Sequence, residues 1–195
     1  MTRIHHPQQV FTERENPPHH MWSYCPVCAA NLQEAESGVA ECSSDTCTFK
    51  FYRNPVPAVS ILVEDGGRVL VVRRNGKNVI GADKWCLPCG YVDHGEDFLS
   101  AARREVFEES GLTVRIEGLL STVSNAFGPH MHSLVVVLLA RPIGGELRAG
   151  DDAVEARWAN PDEQIGWAFQ ADAHIVARYF EAPFAGAPVD TRFSG

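Results

Sequence analysis

The stretch from Gly90 to Leu112, GYVDHGEDFLSAARREVFEESGL, constrains this chain more than any other. It predicts a helix over 97–109, ended by Gly111, because glycine takes the left-handed conformation of a helix C-terminus without penalty. Successive helical residues turn by about 100°. Glu105, Glu108 and Glu109, spaced i, i+3 and i+4, therefore share roughly one 100° sector. Phe98, Ala101 and Ala102 occupy the same sector earlier on the helix, so three carboxylates continue a largely apolar stripe. A solvated acidic run belongs opposite such a stripe. Like charges this close repel, and partial burial adds to the cost. A hard divalent cation removes both penalties, and Mg²⁺ accepts a few carboxylates alongside other oxygen ligands. Arg104, four residues before Glu108, can orient a carboxylate through charge-assisted hydrogen bonds. From geometry alone, the same residues also suit an ordinary acidic face ion-paired to Arg103 and Arg104.

The surroundings mix strands and helices. Residues 56–63 and 68–73 are β-rich runs separated by Glu64-Asp65-Gly66-Gly67, a hairpin signal. A short strand is expected over 84–87, further strands over 113–124, 134–140 and 154–159, and a helix over 171–181 with Ile175, Val176 and Tyr179 on one side. This order implies an α/β or α+β layered fold. Residues 1–22, rich in Pro, His, Gln and Glu, read as a disordered tail, where His5, His6, His19 and His20 suit a solvated segment better than a metal site. Residues 185–195 read as a C-terminal tail. The net charge of −8 argues against strong non-specific nucleic-acid binding, since the surface as a whole does not attract a polyanion. No apolar run approaches the roughly 20 residues a membrane helix needs, and the N-terminus lacks the apolar core of a secretory signal. The expectation is a cytoplasmic protein with no membrane partner.

Six cysteines are present, and four fall between residues 23 and 53: Cys25 and Cys28, then Cys42 and Cys47, the pairs separated by 13 residues. Two such pairs around a loop suit a tetrahedral, four-thiolate zinc site. With every position filled by protein, that zinc would be structural and would fix a segment too small for its own core. Reduced free cysteines, or disulfides in a secreted chain, are the alternatives. Cys86 and Cys89 form a further Cys-x-x-Cys, but not at the start of a helix, where redox pairs belong.

The 90–112 stretch resembles the Nudix box, G-x5-E-x7-R-E-U-x-E-E-x-G-U with U bulky and apolar. Gly90, Glu96, Arg104, Glu105, Val106, Glu108, Glu109, Gly111 and Leu112 fill every fixed position. Trp85-Cys86-Leu87-Pro88-Cys89-Gly90 is similar to the W-x-L-P-x-G that leads into the box, with Cys89 where Gly or Ala is usual. Four cysteines followed by Phe51-Tyr52-Arg53-Asn54-Pro55 resemble the zinc-containing Nudix enzymes, which include NADH pyrophosphatases and FAD and ADP-ribose pyrophosphatases. The resemblance implies a Nudix α/β/α sandwich around a mixed sheet over 54–184, preceded by a zinc ribbon over 23–53. It further implies Glu105, Glu108 and Glu109 as ligands of catalytic Mg²⁺ or Mn²⁺, often joined by the Gly90 carbonyl, with Glu96 and Arg104 structural and orienting. A carboxylate near the attacking water would be the general base. Glu109 and Glu155 are the candidates for it, Glu155 having the alternative of a plain surface glutamate beside Arg157.

Substrate choice is less constrained. The NADH-specific motif S-Q-P-W-P-F-P-x-S is not matched by Leu120–Leu134, LSTVSNAFGPHMHSL, whereas 151–169 looks more like the FAD and ADP-ribose group. Aromatic partners for a nucleotide base are available in Phe51, Tyr52, Phe127, Trp158 and Phe169. His130 and His132 could meet a phosphate or act as acid or base near neutral pH. The expectation is a pyrophosphohydrolase that releases a nucleoside monophosphate such as AMP from FAD, ADP-ribose or an NAD(H)-like small molecule, with a homodimer as a further family expectation. The alternatives are a nucleoside triphosphate, a capped RNA or a specialised diphosphate as substrate, or a non-catalytic binding module.

Overall fold

At Gly66–Gly67 the chain reverses in two residues with φ of 58° and 81°, conformations that favour glycine, and Gly67 N–H donates to Glu64 Oε1 at 2.7 Å. The turn joins two strands in which Glu64 faces Val69 and Asp65 faces Arg68. This hairpin is central to the fold of a computed structural model that describes residues 8–11, 23–34, 39–52, 54–76, 80–127 and 131–189, with only the backbone at 8–11, Phe127 and Met131. His5, His6, His19, His20 and His130 lie outside the described residues.

In chain order the strands are β1 (Gln8–Phe11), β2 (Leu32–Glu34), β3 (Ala40–Cys42), β4 (Lys50–Phe51), β5 (Val56–Asp65), β6 (Arg68–Arg74), β7 (Trp85–Cys86) and β8 (Cys89–Tyr91). Helix α1 (Phe98–Ser110) follows, then β9 (Leu112–Phe127), β10 (Met131–Gly145), β11 (Ala153–Ala159) and α2 (Gln170–Glu181). The chain divides into two compact units, the smaller holding residues 13–56 and 126–133 and the larger the remainder.

The large sheet runs β1-β9-β10-β5-β6-β11, with β7 paired to β6 and β8 to β5. It is mixed: β1 pairs parallel with β9, whereas β11 is antiparallel to β6. In the larger unit alternation along the strands sends side chains to two faces. Val59, Ile61, Val63 and Leu70 pack with Leu99, Ala101, Ala102 and Val106 of α1. Leu62, Val69 and Val71 pack with Ile175, Val176 and Tyr179 of α2. Each such buried Val, Leu or Ile contributes about 1.5–3 kcal/mol, enough to seat one helix on each face. The larger unit is thus an α/β/α sandwich around a mixed sheet. Among the described residues no helix is long and apolar enough to cross a membrane.

Two stretches read as tails contain paired backbone. Gln8–Phe11 adds a strand to the β9 edge, and Ala187 exchanges 2.8 Å hydrogen bonds with Leu119. A sheet edge offers unpaired amides and carbonyls to any nearby chain, a long-range opportunity that local composition does not announce.

The smaller unit holds a three-stranded sheet, β2-β3-β4, with Leu32 opposite Cys42 and Ala40 opposite Phe51. Its core is small: Cys25, Leu32 and Ala40, flanked by Cys42, Cys47, Phe49 and Phe51.

Candidate active site and cysteine cluster

Helix α1 starts where the Asp97 side chain accepts the amides of Leu99 and Ser100 at 2.9 and 3.1 Å, and ends at Gly111 with φ 71°. Between these caps Leu99, Ala101, Ala102 and Val106 are fully buried, and Glu105 and Glu109 share their face at 8% and 2% exposure. Glu108 is exposed at the side of the stripe, and Phe98, assigned to the apolar sector from its spacing, is also exposed. Phe98 points away from that face, and the buried stripe starts at Leu99.

Arg104 organises the carboxylates. Its Nε and Nη2 donate to the two oxygens of Glu96 at 3.0 and 2.8 Å, and its Nη1 donates to Glu105 at 2.7 Å and Glu108 at 3.1 Å. Nη2 also donates to the Tyr91 carbonyl at 2.9 Å, tying α1 to β8. The fork geometry of guanidinium suits this role and an ammonium would not. Arg104 holds the Glu96 carboxyl below its usual range, chiefly through that hydrogen bond. Glu109 accepts the Cys89 amide at 3.0 Å. Gly90, next in the chain and opposite Val59 on β5, runs so close to α1 that a Cβ would collide with the Glu105 carboxylate.

Burial pushes the Glu105 carboxyl up, with Glu108 and Asp151 adding to it against the opposing pull of Arg104. Burial pushes Glu109 much further, with Cys89 and Asp152 adding. Asp151 and Asp152 are positioned by the loop before β11: Arg148 N–H donates to Ser110 O at 2.9 Å, and Gly150 N–H to Glu109 O at 3.3 Å. Neither aspartate stood out in the sequence, because their proximity to α1 is made by these long-range backbone bonds. A concentration of acids in which two are buried fits a divalent cation, whose charge offsets both burial and repulsion.

Glu155 faces Arg73 across the β11–β6 ladder and pairs with it at 3.2 Å, both side chains partly exposed. Arg157 does not pair with Glu155 through a close contact. It donates to both oxygens of Glu163, at 3.1 and 2.5 Å, and lies 4.5 Å above the Trp85 ring. Cys86 is buried and Cys89 half-buried, with Arg74 Nη1 at 4.0 and 3.8 Å from their sulfurs. Hydrogen bonding to Cys86, reinforced by burial, pushes the Cys89 thiol well above its usual range, the opposite of a reactive thiolate.

Among the base-stacking candidates, Phe169 precedes α2 with the Arg74 guanidinium 5.6 Å from its ring. Trp158 packs toward α1, with Arg68 5.7 Å from its ring. In the smaller unit Tyr52 is exposed, Phe51 is half-buried on β4, His132 is half-buried on β10, and Phe127 ends β9.

In the smaller unit, Cys25, Cys28, Cys42 and Cys47 bring their sulfurs within 4.8 Å of one another. Cys25 and Cys47 are 3.8 Å apart and Cys28 and Cys42 3.4 Å. A tetrahedron with metal–sulfur bonds of about 2.3 Å has edges of about 3.8 Å, so the cluster fits a zinc ribbon. The thiols share their protons unequally. Burial would raise Cys25, but the amides of Cys28 and Val27 and neighbouring thiols bring it down to about 7. Cys42 accepts from the Ser44 amide, yet burial and its neighbours push it up to about 12.

This arrangement of strand, loop and carboxylate helix has relatives. A family model, the NUDIX domain, matches residues 54–179, and the chain belongs to that family of hydrolases. It is 35% identical over 115 residues to an ADP-ribose pyrophosphatase of Methanocaldococcus jannaschii, covering 58% of this chain and 67% of that one. It is 30% identical over 146 residues to the NAD-capped RNA hydrolase NudC of Actinobacillus succinogenes, covering 72% of this chain but 54% of the relative, so the match spans about half of that protein. A NUDIX hydrolase from Nitrosomonas europaea shares the fold with a TM-score of 0.72 at 24% identity, over 86% of this chain and 96% of that one.

Proposed function

We propose that the chain hydrolyses the diphosphate bond of a nucleoside diphosphate linked to a second moiety, such as ADP-ribose, FAD or an NAD(H)-like compound, and releases a nucleoside monophosphate such as AMP. The observation that carries this reading is the pair of buried carboxylates, Glu105 and Glu109, on a helix whose own arginine already orients Glu105 and the neighbouring Glu108. The ADP-ribose and NAD named for two relatives have an adenosine diphosphate in common, which supports the substrate class.

Glu105, Glu108 and Glu109, with the Gly90 carbonyl, would hold Mg²⁺ or Mn²⁺. When bound, such ions neutralise phosphate charge and make a coordinated water more acidic. The chain's own residues do the rest. Arg104 fixes Glu105 and Glu108, and the Cys89 amide fixes Glu109. Water attacks one phosphorus, the bridging P–O bond breaks, and the second phosphate leaves as a monoester. The proton released from water passes to a carboxylate, for which Glu109 and Glu155 are the candidates. In the smaller unit the four cysteines would hold a structural Zn²⁺.

A NAD-capped RNA end is a second reading, favoured by the 30% identity to NudC over most of this chain, although the net charge of −8 does not assist RNA binding. The test is a panel of ADP-ribose, FAD, NADH, nucleotide sugars, nucleoside triphosphates and a NAD-capped oligoribonucleotide, assayed with Mg²⁺ or Mn²⁺. AMP from the free dinucleotides or ADP-ribose supports the proposal. Turnover of the capped RNA alone, of triphosphates alone, or of none of the panel overturns it.

A further inference from the structure

Asp172 lies in the first turn of α2, only 4% exposed, and among the described residues no arginine or lysine donates a hydrogen bond to its carboxylate. Burial pushes its carboxyl up to about 7. Its oxygens meet two groups: Leu87 N–H donates to Oδ2 at 3.1 Å, and Ser60 Oγ lies 3.5 Å from Oδ1. An acid kept in a core at such cost calls for a reason beyond stability, since an apolar residue there would pack without desolvating a charge.

The reason is what Leu87 belongs to. Leu87-Pro88-Cys89-Gly90 is the short passage that leaves β7 and enters β8, and it is gripped from three sides. On the α2 side Asp172 takes the Leu87 amide. Strand β5 donates Ile61 N–H to Pro88 O at 2.9 Å and pairs Ser60 with Cys89 and Val59 with Gly90. On the α1 side Glu109 takes the Cys89 amide. Two buried carboxylates, one from each helix and on opposite faces of the sheet, thus hold amides two residues apart.

We propose that Asp172 is a positioning residue for the hydrolytic site. By anchoring Leu87 it fixes the passage whose last two residues supply the amide that aims Glu109 and the glycine that Glu105 closes upon. It touches neither metal nor substrate and acts through Cys89 and Gly90. This rests on the metal-site reading of α1, so one readout must be independent of metal.

The experiment compares the whole chain with Asp172→Ala and Asp172→Asn. Metal-free hydrogen exchange reads the Leu87 and Cys89 amides, Mn²⁺ titration reads affinity, and turnover of the best panel substrate reads kcat. Asp172→Ala, which removes the acceptor, is expected to lose about tenfold in Cys89 protection, in Mn²⁺ affinity and in kcat, the scale of removing an outer support of a metal ligand. Asp172→Asn keeps an oxygen for Leu87 and is expected to stay within about threefold of the parent on all three. Should Asp172→Ala fail to fold, Asp172→Glu takes its place with the same expected losses, because it moves the acceptor by one methylene. A folded Asp172→Ala with parental Cys89 exchange and Mn²⁺ affinity overturns the proposal, as does an Asn variant that falls as far as Ala. A parent chain that neither binds Mn²⁺ nor turns over any substrate overturns the metal reading instead, and the exchange data still decide the role of Asp172.

Discussion

The chain gathers like-charged ligand groups in two places and builds around them in opposite ways. In the smaller unit four sulfurs close on one another, and the hydrophobic residues beside them are few: Leu32, Ala40 and flanking aromatics. In the larger unit the carboxylates sit on a helix already seated on a full core and are held by Arg104 and a backbone amide. The first cluster has no vertex to spare, so a metal there would serve the fold. The second leaves Glu108 facing solvent, so a metal there would serve a ligand. Only the cysteine unit should depend on its metal for structure.

That contrast breaks most visibly at the cysteines. Replacing Cys25 and Cys28 with Ser is expected to remove about one zinc per chain, read by elemental analysis, and to unfold the smaller unit, read by proteolysis confined to residues 13–56. A folded, zinc-free variant would abolish the distinction. Glu109→Gln should do the reverse. Turnover is expected to fall by roughly 10²–10³-fold, as when one electrostatic stabiliser is deleted, while the melting temperature holds or rises because a buried charge is gone. Arg104→Lys is expected to cost about 10–100-fold in activity, since an ammonium cannot reproduce the fork to Glu96 and Glu105. A loss under threefold would remove the organising role given to Arg104.

The smallest expected effect concerns Asp172 and has a defined sign. Its carboxyl is raised from 3.8 to about 7, so between those values the folded chain binds the proton more tightly than the unfolded chain. That contribution to stability is complete below about pH 4 and is lost as pH rises through 7. Among the described residues, Arg74 and the Cys89 thiol are the charged and titratable neighbours that act on it. Asp172→Asn never carries the charge, so it should melt with the parent at pH 4 and about 5 °C above it at pH 8. Equal melting at both pH values would remove the stability cost assigned to the buried carboxylate.

What the sequence disclosed follows from the range of each interaction. Helix α1 was legible because its terminator, Gly111, and its stripe are local, and the four cysteines because thiolate spacing is local chemistry; that Asp97 caps the helix rather than joining it was read only from the fold. Asp172 carried a readable hint, since it lies three, four and seven residues before Ile175, Val176 and Tyr179 and so shares their buried face. Only the fold shows that Leu87 meets it. Asp151, Asp152 and the Arg73 partner of Glu155 were hidden for the same reason, since each depends on strands or loops brought together from distant parts of the chain.

Trp85 begins the strand that leads into the Leu87–Gly90 passage. One face of its indole lies under Arg157, and its backbone is joined to Gly166 and Ala168 at 2.9 and 2.7 Å. An indole emits according to the charge and polarity around it, and this one sits two residues ahead of Leu87. The molecule therefore carries its own optical reporter: a shift of the passage toward or away from the carboxylates would change the light Trp85 emits, with no label attached.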